Sequence, residues 1–143
     1  MAVLGGEFAM IVLVSGSAID VDTLASGTEG LGATLGLSIT LKRTTSPHVT
    51  AGTRPYLIES VSLDTPGIVH AITSILRGYG INIEDLETDT TAAPFSGAPM
   101  FTLKARILVP PGVTISRLRE EIENLAEERD LDIAMQPISS NPI

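Results

Sequence analysis

Two short stretches carry the residue types from which a binding site is built: Asp64-Thr65-Pro66-Gly67-Ile68, and further along Gly80-Ile81-Asn82-Ile83. A helix beginning at Pro66 leaves the backbone N–H groups near Gly67 and Ile68 without intrahelical partners. Those donors, with the helix dipole, suit a carboxylate. Gly67 has no side chain, so a ligand can approach its backbone closely. Asn82 both donates and accepts, as a zwitterion's ammonium and carboxylate require. The same residues also read as ordinary punctuation: Asp or Thr before Pro-Gly is a helix N-cap, and Asn after Gly is a turn residue.

Catalytic chemistry finds little support. The histidines are His48 and His70, with no nucleophile motif beside either, and 22 positions between them is poor spacing for zinc. His70 falls off the apolar stripe of its helix and reads as a surface or half-buried side chain. With no cysteine, disulfides, thiol catalysis and Cys-ligated metals are excluded. Asp85, Glu87 and Asp89 alternate on one strand face and raise the question of a divalent cation. A structural reading does better: a hairpin register that sets Glu87 opposite Lys104 and Asp85 opposite Arg106 makes a salt-linked outer face, each such pair contributing roughly 0.2–1 kcal/mol. Arg117 with Glu121, and Arg119 with Glu123, have the i,i+4 spacing of a solvated helix surface. No metal and no cofactor is expected.

The elements that hold these residues follow from periodicity. Tyr56–Leu63 reads as a strand, Ile68, Ile72, Ile75 and Tyr79 as an apolar helical stripe, and Gly78 and Gly80 as its stop. Ile83–Thr91 is the next strand, and Met100–Val109 follows with Phe101, Leu103, Ala105, Ile107 and Val109 on one face. A second helix and a last strand complete βαββαβ over residues 55–138. That order folds as an antiparallel sheet with two helices on one face.

The last third of this pattern occurs twice. Shifted by 94 positions, Ile19, Val21, Leu24, Leu31, Leu37, Ile39 and Leu41 fall on Val113, Ile115, Leu118, Leu125, Leu131, Ile133 and Met135. A constant offset that preserves helical spacing first and strand alternation afterwards is the mark of a duplicated unit. Phe8–Val14 then corresponds to the strand Met100–Val109. The first strand and first helix of the earlier unit would precede Met1, so that unit is expected to be incomplete. Residues 1–44 are read as this partial unit, 45–54 as a small, polar, proline-containing linker, 55–138 as the complete unit and 139–143 as a tail.

The order Asp64-Thr65-Pro66-Gly67-Ile68, then Gly80-Ile81-Asn82-Ile83, resembles the ACT domain, in particular tandem ACT proteins related to the glycine cleavage system transcriptional repressor. The resemblance spans the whole second unit, and the first unit from its second strand onward. It implies an α+β, ferredoxin-like fold, binding of a small amino-acid effector at unit interfaces, and control of another protein rather than catalysis. By the same resemblance Asp64, Thr65, Pro66, Gly67, Ile68, Asn82 and Ile83 form the ligand-binding edge. A ligand-free assembly module or regulatory subunit of an amino-acid-metabolic enzyme is the competing expectation.

Charge and hydropathy bear on partners. The formal charge is −8; residues 1–54 hold four acids and three bases, residues 55–143 thirteen acids and six bases. Acidity on this scale opposes direct nucleic-acid binding, which needs clustered Lys and Arg. The first basic residue is Lys42 and the apolar run Phe8–Val14 is short, so neither a secretory signal nor a bilayer span is read, and a cytoplasmic setting is expected. Phe8, Met10, Val12 and Val14 stand where the later unit has polar positions such as Lys104 and Arg106. That apolar row is the expected surface for a protein partner or for homo-oligomerisation.

Overall fold

A computed structural model describes residues 2–45 and 51–139, so His48, half of the expected linker and all but the start of the tail lie outside it. The chain divides into two units, Met1–Pro47 and His48–Ile143.

The later unit is built in the order β3 (Arg54–Leu63), α2 (Ile68–Gly78), β4 (Asn82–Ala92), β5 (Pro99–Val109), α3 (Ile115–Arg129) and β6 (Asp132–Pro137), and its antiparallel sheet has the order β4-β5-β3-β6. The alternation of β5 turns Phe101, Leu103, Ala105, Ile107 and Val109 into the core, where Ile68, Ile72 and Leu76 of α2 and Leu118, Ile122 and Leu125 of α3 meet them. Leu76 replaces Ile75 and Tyr79 as the deepest part of the α2 stripe; those two are only half-buried. Each fully buried aliphatic side chain contributes about 1.5–3 kcal/mol, which makes this shared helix–sheet face the main source of stability. One group there is unsatisfied: Ser60 Oγ, on the core face of β3, is buried without a hydrogen-bond partner.

Two local features differ from the sequence expectation. α2 starts at Ile68, not Pro66, because Gly67 adopts φ +90°, which is outside the helical region. β4 carries a bulge between Ile83 and Asp85, so Glu84 has no register partner on β5. Beyond the bulge the expected register holds, with Asp85 opposite Arg106 and Glu87 opposite Lys104.

The earlier unit has a short hairpin, β1 (Ala2–Leu4) with β2 (Glu7–Ala9), followed by α1 (Ala18–Leu35). Ser17 caps α1, accepting from the Asp20 N–H. The expected strand Phe8–Val14 survives only as the end of β2, and Leu37–Leu41 forms no strand at all. The later unit supplies the reason. There β5 and β6 never pair with each other; both pair with β3, which lies between them. Residues 2–45 contain no counterpart of β3, so the two equivalent segments lack their common ladder partner.

Candidate functional site

The turn after β3 is anchored by the Asp64 N–H, which donates to Pro99 O at 2.9 Å. Thr65, Pro66 and Gly67 follow in the open, and Ile68 drops into the core at 2% exposure. Its side chain is therefore packing, and what it offers a ligand is its backbone N–H. No side chain caps α2. The first-turn donors of this helix thus have no protein acceptor from the capping position, the condition under which a helix start attracts an anion.

Gly67 is required here by its backbone conformation. Its φ of +90° is strained for any L side chain, and a Cβ on it would stand 3.5 Å from Nη1 of Arg129. The guanidinium of Arg129, exposed in the last turn of α3, therefore lies against the start of α2. A cation at a helix N-terminus adds to the positive end of the dipole rather than neutralising it. Among the described residues Arg129 joins no ion pair. The combination of free N–H groups and a forked cation favours a carboxylate. Sequence reasoning missed Arg129. Its only local signal was a basic residue at a helix C-terminus, which the dipole of α3 already explains.

The structure separates the two halves of the expected ligand edge. Leu63 is opposite Met100 at one end of β5, while Asn82 is opposite Leu108 at the other. α2, eleven residues and about 16 Å long, runs the distance between the turn and the start of β4. Asn82 is exposed and Ile83 is half-buried against the core. Asp64–Ile68 and Asn82–Ile83 do not surround one ligand within this unit.

The outer sheet face is charged, but its ion pairs are not the expected ones. Lys104 Nζ lies 3.4 Å from Glu59 on β3, and Arg106 Nε lies 3.6 Å from Glu84, the bulged residue. Lys104 sits between carboxylates on both neighbouring strands, and the bulge brings an extra one to Arg106. Shallow hollows of about 180 and 640 Å³ open along this face, and neither is lined by a residue of the Gly67 turn. Among the described residues no three His, Cys, Asp or Glu side chains are grouped to hold a metal ion.

On the helix side, Arg117 and Glu121 pair at 3.9 Å, but Arg119 donates to Met135 O at 3.0 Å instead of meeting Glu123. Tyr79 donates its hydroxyl to Glu121 at 2.5 Å, tying α2 to α3. That bond to a carboxylate raises the phenol's pKa above its ordinary value, with desolvation adding to it. His70 is exposed on α2. In the earlier unit Phe8, Met10, Val12 and Val14 are all exposed, as are Ile11 and Leu13 between them. No helix among the described residues is long and apolar enough to cross a membrane.

Known proteins match both the fold and the sequence. The glycine cleavage system transcriptional repressor of Escherichia coli (strain K12) is 28% identical over 133 residues, which cover 90% of this chain and 67% of that protein. A crystal structure of an unknown protein from Galdieria sulphuraria is 35% identical, with a TM-score of 0.79 over 96% of this chain and 78% of that one. A putative glycine cleavage system transcriptional repressor shares the fold at 20% identity, with a TM-score of 0.69 over 87% of this chain and 70% of its own. The family model described as ACT domain matches residues 56–136. With that match over more than half of its length, and a βαββαβ unit of the expected topology beneath it, the chain belongs to the ACT-domain family.

Proposed function

We propose that this is a non-catalytic cytoplasmic regulator whose complete ACT unit binds a small amino acid and passes its presence to a partner protein. The observation that carries the reading is the uncapped start of α2, where Gly67 leaves room and Arg129 adds a cation. The effector's carboxylate meets the N–H groups of Ile68 and its neighbours and the guanidinium of Arg129. Asp64, Thr65 and Pro66 fix the loop that presents them. Asn82 and Ile83 lie too far along the same unit to contact that molecule, so they serve a site completed by another unit or chain. A helix terminus offers an anion typically 0.3–1 kcal/mol, so enclosure must supply most of the affinity.

The similar repressor supports a regulatory role for the whole protein. We read residues 1–44 as a partial ACT unit, joined by 45–54 to the complete unit 55–138, with 139–143 as a tail. The C-terminus of α1 supports this: Leu37 N–H donates to Gly32 O just as Leu131 N–H donates to Ala126 O, each at 2.9 Å and 94 positions apart. One feature favours the ligand-free assembly reading instead, the exposed apolar run through Phe8, Met10, Val12 and Val14, which fits a protein partner or a second copy.

Calorimetric titration of glycine, serine and the branched-chain amino acids separates the two. Binding that weakens about tenfold or more in Arg129→Ala is expected for a charge-assisted carboxylate contact. Binding equal in the native chain and Arg129→Ala would remove the turn from the site, and no binding of any amino acid would leave the assembly module.

A further inference from the structure

The two ends of α2 are held differently. At the C-terminal end Tyr79 N–H donates to Ile75 O and Leu76 O, Gly80 N–H to Arg77 O and Ile81 N–H to Leu76 O. The Tyr79 hydroxyl adds a bond to Glu121 of α3. At the start no side chain caps the helix, the preceding turn of residues 64–67 is exposed, and Arg129 brings positive charge to the positive end of the dipole. Ile68, 2% exposed, is the fully buried side chain of this first turn.

The strand that leads into the turn adds to the contrast. Among the described residues the buried polar side chains are Ser60 and Ser62, both on the core face of β3 in its second half. Ser62 donates to Leu63 O at 3.1 Å, whereas Ser60 Oγ, in a residue 1% exposed, has no partner in the protein. A hydroxyl buried without a partner keeps the full cost of its lost hydration. Water reaching it from an opened helix start would relieve that cost.

We propose that the first turn of α2 is a switch: with no effector it opens about the fixed C-terminal end of the helix and hydrates Ser60, and a carboxylate bound at Gly67 holds it shut. The opening follows from Ser60 and the uncapped start alone; the closing rests on the function proposed above. A bound carboxylate offsets the like charges of Arg129 and the helix dipole, and those meet only in the closed state. The ligand therefore favours closed over open, the differential affinity that any effector needs to shift a conformational equilibrium.

Native-state hydrogen exchange on the full chain tests this. Ala71 N–H, which donates to Gly67 O at 2.9 Å, and the next amide, Ile72, report the start of α2; Leu76 and Ile107 report its fixed end and the sheet. Ser60→Ala should slow exchange at Ala71 and Ile72 about tenfold relative to Leu76 and Ile107, because the open state no longer gains a hydrated hydroxyl. Ser62→Ala, which removes a satisfied hydroxyl, should slow neither. Glycine, serine and valine are then added singly. Whichever binds should slow the same two amides in the native protein, and should bind several-fold more tightly to Ser60→Ala, whose start is already shut. No slowing in Ser60→Ala, equal slowing at all four amides, or the same slowing in Ser62→Ala would overturn the opening. Binding that leaves Ala71 and Ile72 unchanged would overturn the closing. Binding by none of the three, with the Ser60→Ala effect intact, would refute the effector function and leave the opening supported.

Discussion

Several apolar residues recur 94 positions apart in opposite surroundings. Ile11 is 100% exposed and Leu13 80%, whereas their counterparts Ala105 and Ile107 are 1% and 0% exposed. Leu24, Leu31, Leu37 and Leu41 are likewise open where Leu118, Leu125, Leu131 and Met135 are buried. The helix ends are nevertheless alike: Gly36 and Asp130 both terminate their helices in the left-handed conformation, and each donates its N–H to the residue four before it. The helix end thus recurs while the packing around it does not. A helix cap forms from residues within one turn, but a strand needs a neighbour. The neighbour that β5 and β6 share is β3, and the described residues 2–45 include no equivalent.

Truncating matched side chains should show the largest difference between the two units. Ile107→Ala should cost about 2–5 kcal/mol in denaturant unfolding, through lost burial and the cavity left behind. Leu13→Ala should stay within about 0.5 kcal/mol, as for a surface change. Similar losses at both sites would mean that Leu13 is packed after all. Next in size is the pair at the helix ends. A Cβ on Gly32 would come within 2.7 Å of Leu37 O, so Gly32→Ala should disrupt the turn after α1 at about 1–3 kcal/mol. Ala126→Gly keeps its turn and should lose only about 1 kcal/mol of helix propensity. Far-UV circular dichroism and unfolding of the two variants would compare them, and a harmless Gly32→Ala would contradict the close approach.

The smallest expected effect concerns a link that only the later unit possesses. Tyr79 of α2 donates to Glu121 of α3, and the position matching Glu121 in α1 is Gly27. Because the folded phenol has a raised pKa, this link stabilises the fold fully below the unfolded value of 10.0 and is lost as pH rises through the higher folded value. Ultraviolet titration should find Tyr79 ionising above the ordinary tyrosine value, and Glu121→Gln should bring it back down. A Tyr79 titration unmoved by Glu121→Gln would refute the cause assigned to it.

The sequence made the later unit readable because its signals agree. Alternation from Phe101 to Val109, the stripe on α2 and the charge pairing across the hairpin all specify the same faces and register. It was less informative where the outcome depends on contacts remote in sequence. Arg129 and Gly67 are 62 positions apart, and only the packing of α3 beside α2 brings them together. Glu84 reached Arg106 through a bulge that no residue pattern announced, and Lys104 chose Glu59 over Glu87 from carboxylates on both sides. The apolar runs of the earlier unit were legible as strand material. Whether they became strands depended on a partner.

Amide NMR with side-chain arginine detection tests most directly the anion site proposed at the start of α2. On addition of the amino acid that calorimetry selects, the N–H signals of Gly67, Ile68 and Val69 and the Nε–H of Arg129 should move together along one saturating curve. Arg129→Ala should flatten that curve while leaving the core signals of Ile72 and Ile107 in place. Saturable shifts that spare Gly67, Ile68 and Arg129 and gather elsewhere would contradict the account.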